Sequence, residues 1–165
     1  MFVWGIDPGL SRCGYAVVDA GARRPRLVAL GVFTTPPADS VPERLFAIRE
    51  DVRALAEDHP PTEVAVERIL FSVNVRTAIG VAQSAGVVMT EGIAAGARVT
   101  EYSPNEIKLA VAGDGSADKG QVEAMVQRLL RIDKPIRPVD AADAAAIALC
   151  HLAHAPMRSR VAAAR

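Results

Sequence analysis

Four acidic residues occupy positions from which they could act together on one substrate. Asp7 and Glu67 end two predicted strands, and Asp140 and Asp143 open the last predicted helix. Residues three apart share one face of a helix, so Asp140 and Asp143 can point at one spot. Clustered carboxylates need a cation to offset their repulsion, and oxygen ligands without a Cys or His partner select Mg²⁺ or Mn²⁺. The pattern therefore predicts metal-assisted phosphoryl transfer.

Each of these acids also has an ordinary structural explanation. Asp140 could be a helix N-cap with Asp143 in the first turn, where the helix dipole favours negative charge. Asp7 precedes a Pro-Gly pair and could belong only to a turn, and Glu67 could be a solvated residue at a strand end. Spacing alone leaves both explanations open.

Alternating strand and helix signals run along the chain. Short apolar runs predict strands, and apolar residues recurring at helical spacing predict helices. The predicted strands are Phe2 to Asp7, Gly14 to Asp19, Arg26 to Thr34, Glu63 to Glu67 and Arg98 to Tyr102. The predicted helices are Val41 to Glu57, about Asn74 to Ala95, Pro104 to about Ala112, Gln121 to Arg131 and Ala141 to His154. This order predicts an α/β domain with a mixed sheet flanked by helices.

The composition is that of a folded chain without bulk attraction for nucleic acid. Of 165 residues half are hydrophobic, and 19 Lys and Arg balance 19 Asp and Glu, so any nucleic-acid contact must be local. The richness in alanine and arginine is typical of a biased genome and indicates little about function. The two cysteines lie far apart and outside any CxxC pair, so they indicate neither a disulfide framework nor a zinc knuckle. No long apolar segment or leader is visible, so we expect a cytoplasmic protein without membrane association.

Four segments, in order, resemble the RuvC family of bacterial Holliday-junction resolvases. They are GIDPGLSRCGYAVVD at 5–19, VERILFSVN at 66–74, YSPNEIKLAVAGDGSADKGQV at 102–122 and DAADAAAIALCH at 140–151. The resemblance implies an RNase H-like fold with a five-stranded mixed sheet. It also implies a structure-selective endonuclease that resolves four-way DNA junctions by paired, symmetric phosphodiester hydrolysis in recombination and repair. We expect one nuclease domain over residues 1–156 and a frayed basic tail over 157–165.

The resemblance assigns the metal site residue by residue. Asp7, Glu67, Asp140 and Asp143 match the family's four metal-binding carboxylates, which are the same four acids that the spacing selects. They would hold two Mg²⁺ ions, for which Mn²⁺ could substitute, and loss of any one acid is expected to abolish cleavage.

The resemblance also indicates residues that contact DNA. Lys108 and Lys119 match basic positions that the family places near the DNA, although either could be an ordinary surface lysine. An aromatic residue of the family stacks on junction bases just past the second strand-end acid, where this chain offers Leu70 or Phe71. Arg76 could replace a basic residue that the family often has later in the same helix. Core packing of Phe71 is the alternative.

A four-way junction is approximately two-fold symmetric, so paired nicks predict a homodimer. The candidate interface is the helix from 74 to 95, in which Gly80 and Gly86 would let another backbone approach closely; burial against its own sheet is the alternative. The resemblance further implies cooperation with the RuvA and RuvB branch-migration proteins.

Two other functions fit parts of the pattern. Another RNase H-like nuclease acting on structured RNA would share the first-strand acid. An actin-like nucleotide-binding protein or a non-catalytic fragment of one would need a further phosphate loop and an adenosine motif, and neither is visible. Gly113-Asp114-Gly115 lacks the third glycine of a dinucleotide fingerprint, and Lys119 is followed by Gly120 rather than the Ser or Thr of a P-loop. His151 and His154 lie one turn apart with no acidic or thiol partner beside them, so no metal role is expected there.

Overall fold

The computed structural model describes the backbone of residues 1–21, 24–69 and 75–163, and within these ranges the side chains except those of 75–77 and 155–163. The elements in chain order are β1 (Phe2–Asp7), β2 (Arg12–Asp19), β3 (Arg26–Thr34), α1 (Val41–Asp58), β4 (Pro61–Glu67), α2 (Val75–Ala94), β5 (Arg98–Tyr102), α3 (Pro104–Ala112), α4 (Lys119–Leu130) and α5 (Val139–Ala163). Within the described ranges, no helix combines the length and apolar character needed to cross a bilayer.

Every predicted element is present, with differences at the ends. β2 begins at Arg12 rather than Gly14, and α4 begins at Lys119. The last helix runs over Val139–Ala163 rather than from Ala141 to His154. The division into one domain over 1–156 and a frayed tail over 157–165 stays a prediction.

The five strands form one mixed sheet in the order β3-β2-β1-β4-β5. β1 pairs antiparallel with β2, and β2 with β3, whereas β1 and β4 run parallel, as do β4 and β5. The prediction of a five-stranded mixed sheet flanked by helices is confirmed. Because Ile6 of β1 lies opposite Val66 of β4, the following acids, Asp7 and Glu67, end at the same edge of the sheet.

The sheet is covered on both faces, which explains the continuous apolar character of β1. Val3 belongs to the core cluster that contains α3, α4 and α5, while Trp4 and Ile6 belong to the cluster on the other face with α1 and α2. The indole Nε1 of Trp4 donates to the carbonyl oxygen of His59 at 3.1 Å, so the one buried polar atom of this side chain has a partner.

Helix α5 lies unusually close to β1 and β2. A Cβ on Gly5 would overlap the carbonyl oxygen of Ala144 and stand 2.6 Å from the backbone nitrogen of Ala148. A Cβ on Gly14 would overlap the carbonyl oxygen of Asp140. The first turns of α5 are rich in buried alanines, at positions 141, 142, 144, 145, 146 and 148, and the close approach to Gly5 occurs at Ala144 and Ala148. The alanine content of this helix is therefore a packing requirement, not only a trace of genome composition.

A buried polar group also ties α5 to the parallel half of the sheet. His151 Nε2 lies 3.5 Å from Glu63 Oε2 on β4, and His151 Nδ1 lies 3.3 Å from the hydroxyl oxygen of Tyr102 on β5. Cys150 Sγ lies 3.7 Å from His154 Nδ1. The expectation that the two histidines have no acidic or thiol partner is wrong. The acidic partner of His151 is Glu63 on β4, and the thiol partner of His154 is Cys150, one turn earlier in α5.

Replacing Gly5 with Ala is expected to destabilise the protein by about 3 kcal/mol or more, because the new methyl group meets backbone atoms of α5 that cannot rotate away. Urea unfolding would measure the change. Gly115→Ala is the matched control, since a Cβ there would make only an ordinary 3.6 Å contact with the carbonyl oxygen of Asn105. Equal stability of the two variants would contradict the close approach.

Candidate active site

The four acids that the sequence selects are brought to one edge of the sheet. Asp7 and Glu67 end the neighbouring strands β1 and β4. Gly14 lies opposite Asp7 in the β1–β2 pair and makes room for the backbone of Asp140 in the first turn of α5. Asp143 follows three residues later on the same helical face. The close packing of α5 thus carries its two acids to the strand ends.

Two cations contact the acids of α5. Arg12 donates from Nε and Nη2 to Oδ2 of Asp140 at 3.1 Å and 2.7 Å. Lys119, the first residue of α4, donates from Nζ to Oδ2 of Asp143 at 3.1 Å. Since α5 begins at Val139, Asp140 lies inside the helix and the alternative that it is the N-cap is wrong.

The strand-end acids are crowded by negative charge. Burial raises the pKa of the Asp7 carboxyl to about 7, and the neighbouring carboxylates add to that rise, with Glu67 the largest contributor. Burial and then the charge of Asp143 also raise the pKa of Glu67, which accepts a hydrogen bond from Asp7. Asp140 differs, because its hydrogen bond from Arg12 holds its pKa below the usual value. Asp7 therefore titrates near neutral pH rather than near its usual value of 3.8.

The turn between β1 and β2 is held from two directions. Thr35 Oγ1 donates to the carbonyl oxygen of Leu10 at 2.6 Å and accepts from Arg44 Nε at 2.9 Å. Ser84 of α2 is buried and donates to the carbonyl oxygen of Gly9 at 3.2 Å. These residues fix the turn that joins Asp7 to Arg12. Sequence analysis missed them because a single hydroxyl or guanidinium in α1, α2 or a loop carries no local signature.

The chemistry of the acids suits a hard divalent cation, which oxygen ligands hold. The raised pKa of Asp7 comes first from burial and then from the neighbouring carboxylates, whose negative charge a divalent cation would offset. Burial raises the pKa of the nearby Cys13 thiol to about 11, which keeps it protonated and unsuited to bind metal. Among the residues that the structure describes, no three His, Cys, Asp or Glu side chains are already arranged as a metal site. The cations of the α5 acids contact only Oδ2 of Asp140 and Oδ2 of Asp143.

The structure describes only some of the residues that are predicted to contact DNA. Lys119 lies beside the acids, and Lys108 lies on α3 with a half-buried side chain. Leu70 and Phe71 lie outside the described residues, and so does the side chain of Arg76. Their expected contacts with bases and phosphate stay predictions.

The outer face of α2 exposes two isoleucines. Ile79 and Ile93 are largely exposed, and Gly86 lies midway between them at seven-residue spacing, where an added Cβ would have no atom of the described residues within 4 Å. Gly80 differs, because a Cβ there would meet the side chain of Leu10 at 3.1 Å. The expectation that both glycines admit another backbone is wrong for Gly80, which packs on a side chain of the β1–β2 turn.

The sequence is similar to one family of known proteins along nearly its whole length. The family model for Crossover junction endodeoxyribonuclease RuvC matches residues 3–151. A protein of that name from Salinispora arenicola is 50% identical over 165 residues, which cover 99% of this chain and 94% of the relative.

Solved structures of RuvC proteins have the same fold as this chain. The Thermus thermophilus RuvC structure has a TM-score of 0.89 and 35% identity, covering 96% of this chain and 97% of that chain. T. thermophilus RuvC in complex with Holliday junction substrate has a TM-score of 0.90 and 37% identity, covering 96% of both chains. The RNase H-like fold that the resemblance implied is confirmed.

Replacing Asp7 with Asn is expected to stabilise the metal-free protein at neutral pH. Because the native pKa of Asp7 is raised from 3.8 to about 7, the folded protein keeps a proton that the unfolded chain releases, so stability falls as pH rises from about 4 to about 7. Asn is uncharged and can donate the same hydrogen bond to Glu67. Above pH 7 we expect Asp7→Asn to raise the free energy of unfolding by about 2 kcal/mol. This is roughly half of the energy that corresponds to the full pKa shift, because solvent screens part of the charge repulsion.

Urea unfolding in EDTA at about pH 4.5 and about pH 8 would measure this gain for Asp7→Asn. The control is Asp39→Asn, which changes an exposed carboxylate in the turn before α1. A difference from wild type that is the same at both pH values would argue against a proton held by Asp7.

Proposed function

The chain belongs to the RuvC family of crossover junction endodeoxyribonucleases, and we propose that it resolves four-way DNA junctions by paired, symmetric hydrolysis that depends on two divalent metal ions. The observation that carries the proposal is the grouping of two strand-end acids with two acids of α5, flanked by Arg12 and Lys119. This combination of buried negative charge and exposed positive charge suits a metal-dependent nuclease that handles phosphates.

Four carboxylates would hold the metal ions, namely Asp7, Glu67, Asp140 and Asp143. Bound divalent ions supply an activated water and stabilise the leaving oxygen of a phosphodiester. Asp7 and Glu67, fixed by the parallel pairing of β1 and β4, would give up their shared proton when the negative charge is neutralised. We propose Mg²⁺ as the physiological ion, with Mn²⁺ able to substitute.

The remaining residues would bind and orient DNA. Lys119, which is mostly exposed beside Asp143, is placed to contact a phosphate near the acids, and Lys108 to contact the backbone farther along. The proposed base contact through Leu70 or Phe71 and the phosphate contact through Arg76 rest on the family resemblance alone.

We further propose that two copies pair through α2. The heptad spacing of Ile79, Gly86 and Ile93 gives a narrow apolar strip whose central glycine permits a close approach. A two-fold pair would bring two acid clusters to the two symmetric strands of a junction. Cooperation with the RuvA and RuvB proteins and a cytoplasmic location, where bacterial DNA lies, complete the proposal.

Cleavage of labelled nucleic acids tests the proposed function. With Mg²⁺, we expect paired symmetric nicks in a mobile four-way junction and none in linear duplex of the same sequence. Asp7→Asn should lower cleavage by about 10³-fold or more, because the metal loses a ligand, while junction binding persists. Equal cleavage of structured RNA would favour the other RNase H-like activity and overturn the assignment.

Replacing Ile93 with Glu is expected to convert the dimer to monomer, because a charge would be buried in the apolar strip. Sedimentation velocity would measure the change. Leu109→Glu is a matched control, since Leu109 on α3 and Ile93 are both 59% exposed. An Ile93→Glu variant that remains dimeric would place the interface elsewhere.

A further inference from the structure

Arg12 contacts the acid cluster although the family resemblance assigns it no role. It is the first residue of β2 and pairs with Thr34 of β3. Gly14, two residues later, faces the backbone of Asp140, and residues two apart share one face of a strand. Arg12 therefore lies on the face of the sheet that α5 covers, at the edge where the four acids meet.

The geometry of this contact is that of an oxyanion-binding guanidinium. Nε and Nη2 both donate to one carboxylate oxygen, Oδ2 of Asp140. A guanidinium binds phosphate oxygens with the same planar set of donors. Half of the Arg12 side chain is exposed, so an incoming phosphate can reach it without rearrangement of the core.

Two cations would compete for Asp140. An ion pair between exposed side chains is weak because water screens it. A divalent ion carries twice the charge of Arg12 and would be bound by several acids at once, so it can take Asp140 from the guanidinium. Arg12 would then stand beside the acids with its donors released.

We propose that Arg12 is a DNA-binding residue that exchanges partners, an inference that rests on the proposed function. Arg12 would bind Asp140 before a divalent ion binds and would bind a backbone phosphate of the junction afterwards. Lys119 makes a similar contact with Asp143 from α4, so each acid of α5 has its own cation. The exchange keeps the α5 acids balanced by positive charge when metal is absent and supplies positive charge to DNA when metal is present.

The exchange predicts opposite changes in two affinities. Without Arg12, a divalent ion no longer competes with a nearby positive charge, so metal binding to the DNA-free protein should strengthen. Junction binding should weaken, and its dependence on salt should become shallower because one phosphate contact is lost. A role limited to shaping the site would weaken both affinities together.

The test compares wild type with Arg12→Gln, Arg12→Lys and Arg53→Gln. Arg53 on α1 is the matched control, because it is 51% exposed against 50% for Arg12 and also pairs with carboxylates. Calorimetry measures Ca²⁺ binding without DNA, and fluorescence anisotropy measures binding of a labelled four-way junction in Ca²⁺ over a range of KCl concentrations. Thermal unfolding confirms that each variant is folded.

For Arg12→Gln we expect about fivefold tighter Ca²⁺ binding and about tenfold weaker junction binding, with a log–log salt slope shallower by about 1. Arg12→Lys should keep the wild-type slope because it keeps the charge, and Arg53→Gln should match wild type in both assays. Unchanged junction affinity and slope, or Ca²⁺ affinity that does not rise, would overturn the proposal. If wild type itself shows no preference for the junction over linear duplex, the proposed function fails instead, and the Ca²⁺ titration still tests the competition at Asp140.

Discussion

The close contact of α5 with β1 and β2 is the constraint on which the rest of the structure depends. At Gly5 and Gly14 the helix backbone occupies the space that side chains would need. Asp7 ends the strand that contains Gly5, and Asp140 and Asp143 lie in the first turns of the helix. The interaction that closes the core therefore also sets the separation of the acids, so packing errors in α5 become errors in the site.

The charge of the site opposes the stability of the fold. Burial of Asp7 beside other carboxylates costs free energy at neutral pH, as its raised pKa indicates. Arg12 and Lys119 offset the charges of Asp140 and Asp143, the two acids that α5 contributes. The chain has zero formal charge, so any attraction for DNA must come from local positive charge rather than from the protein as a whole.

Most of the fold could be predicted because its signals are local. β1, β3 and β5 have the predicted bounds, since β1 and β3 are apolar runs and β5 contains the strand-forming residues Val99, Thr100 and Tyr102. Helix α3 begins at a capping box formed by Ser103 and Glu106. The extent of α5 could not be predicted in this way, because residues 141–150 are buried on nearly all sides and leave no amphipathic contrast. The four acids could be selected by residue type and position, but their partners could not. Arg12 and Asp140 are 128 residues apart, and only the assembled sheet and helix bring them together.

The order of these segments along the chain has a consequence for protein synthesis. Asp7 emerges from the ribosome first, Glu67 follows after β4, and Asp140 and Asp143 come only with the last helix. A nascent chain that stops before α5 has half of the acids and lacks the helix that closes the core over β1 and β2. The segment that supplies the last two acids is thus the same one that closes the core over β1 and β2, so a chain without it lacks both.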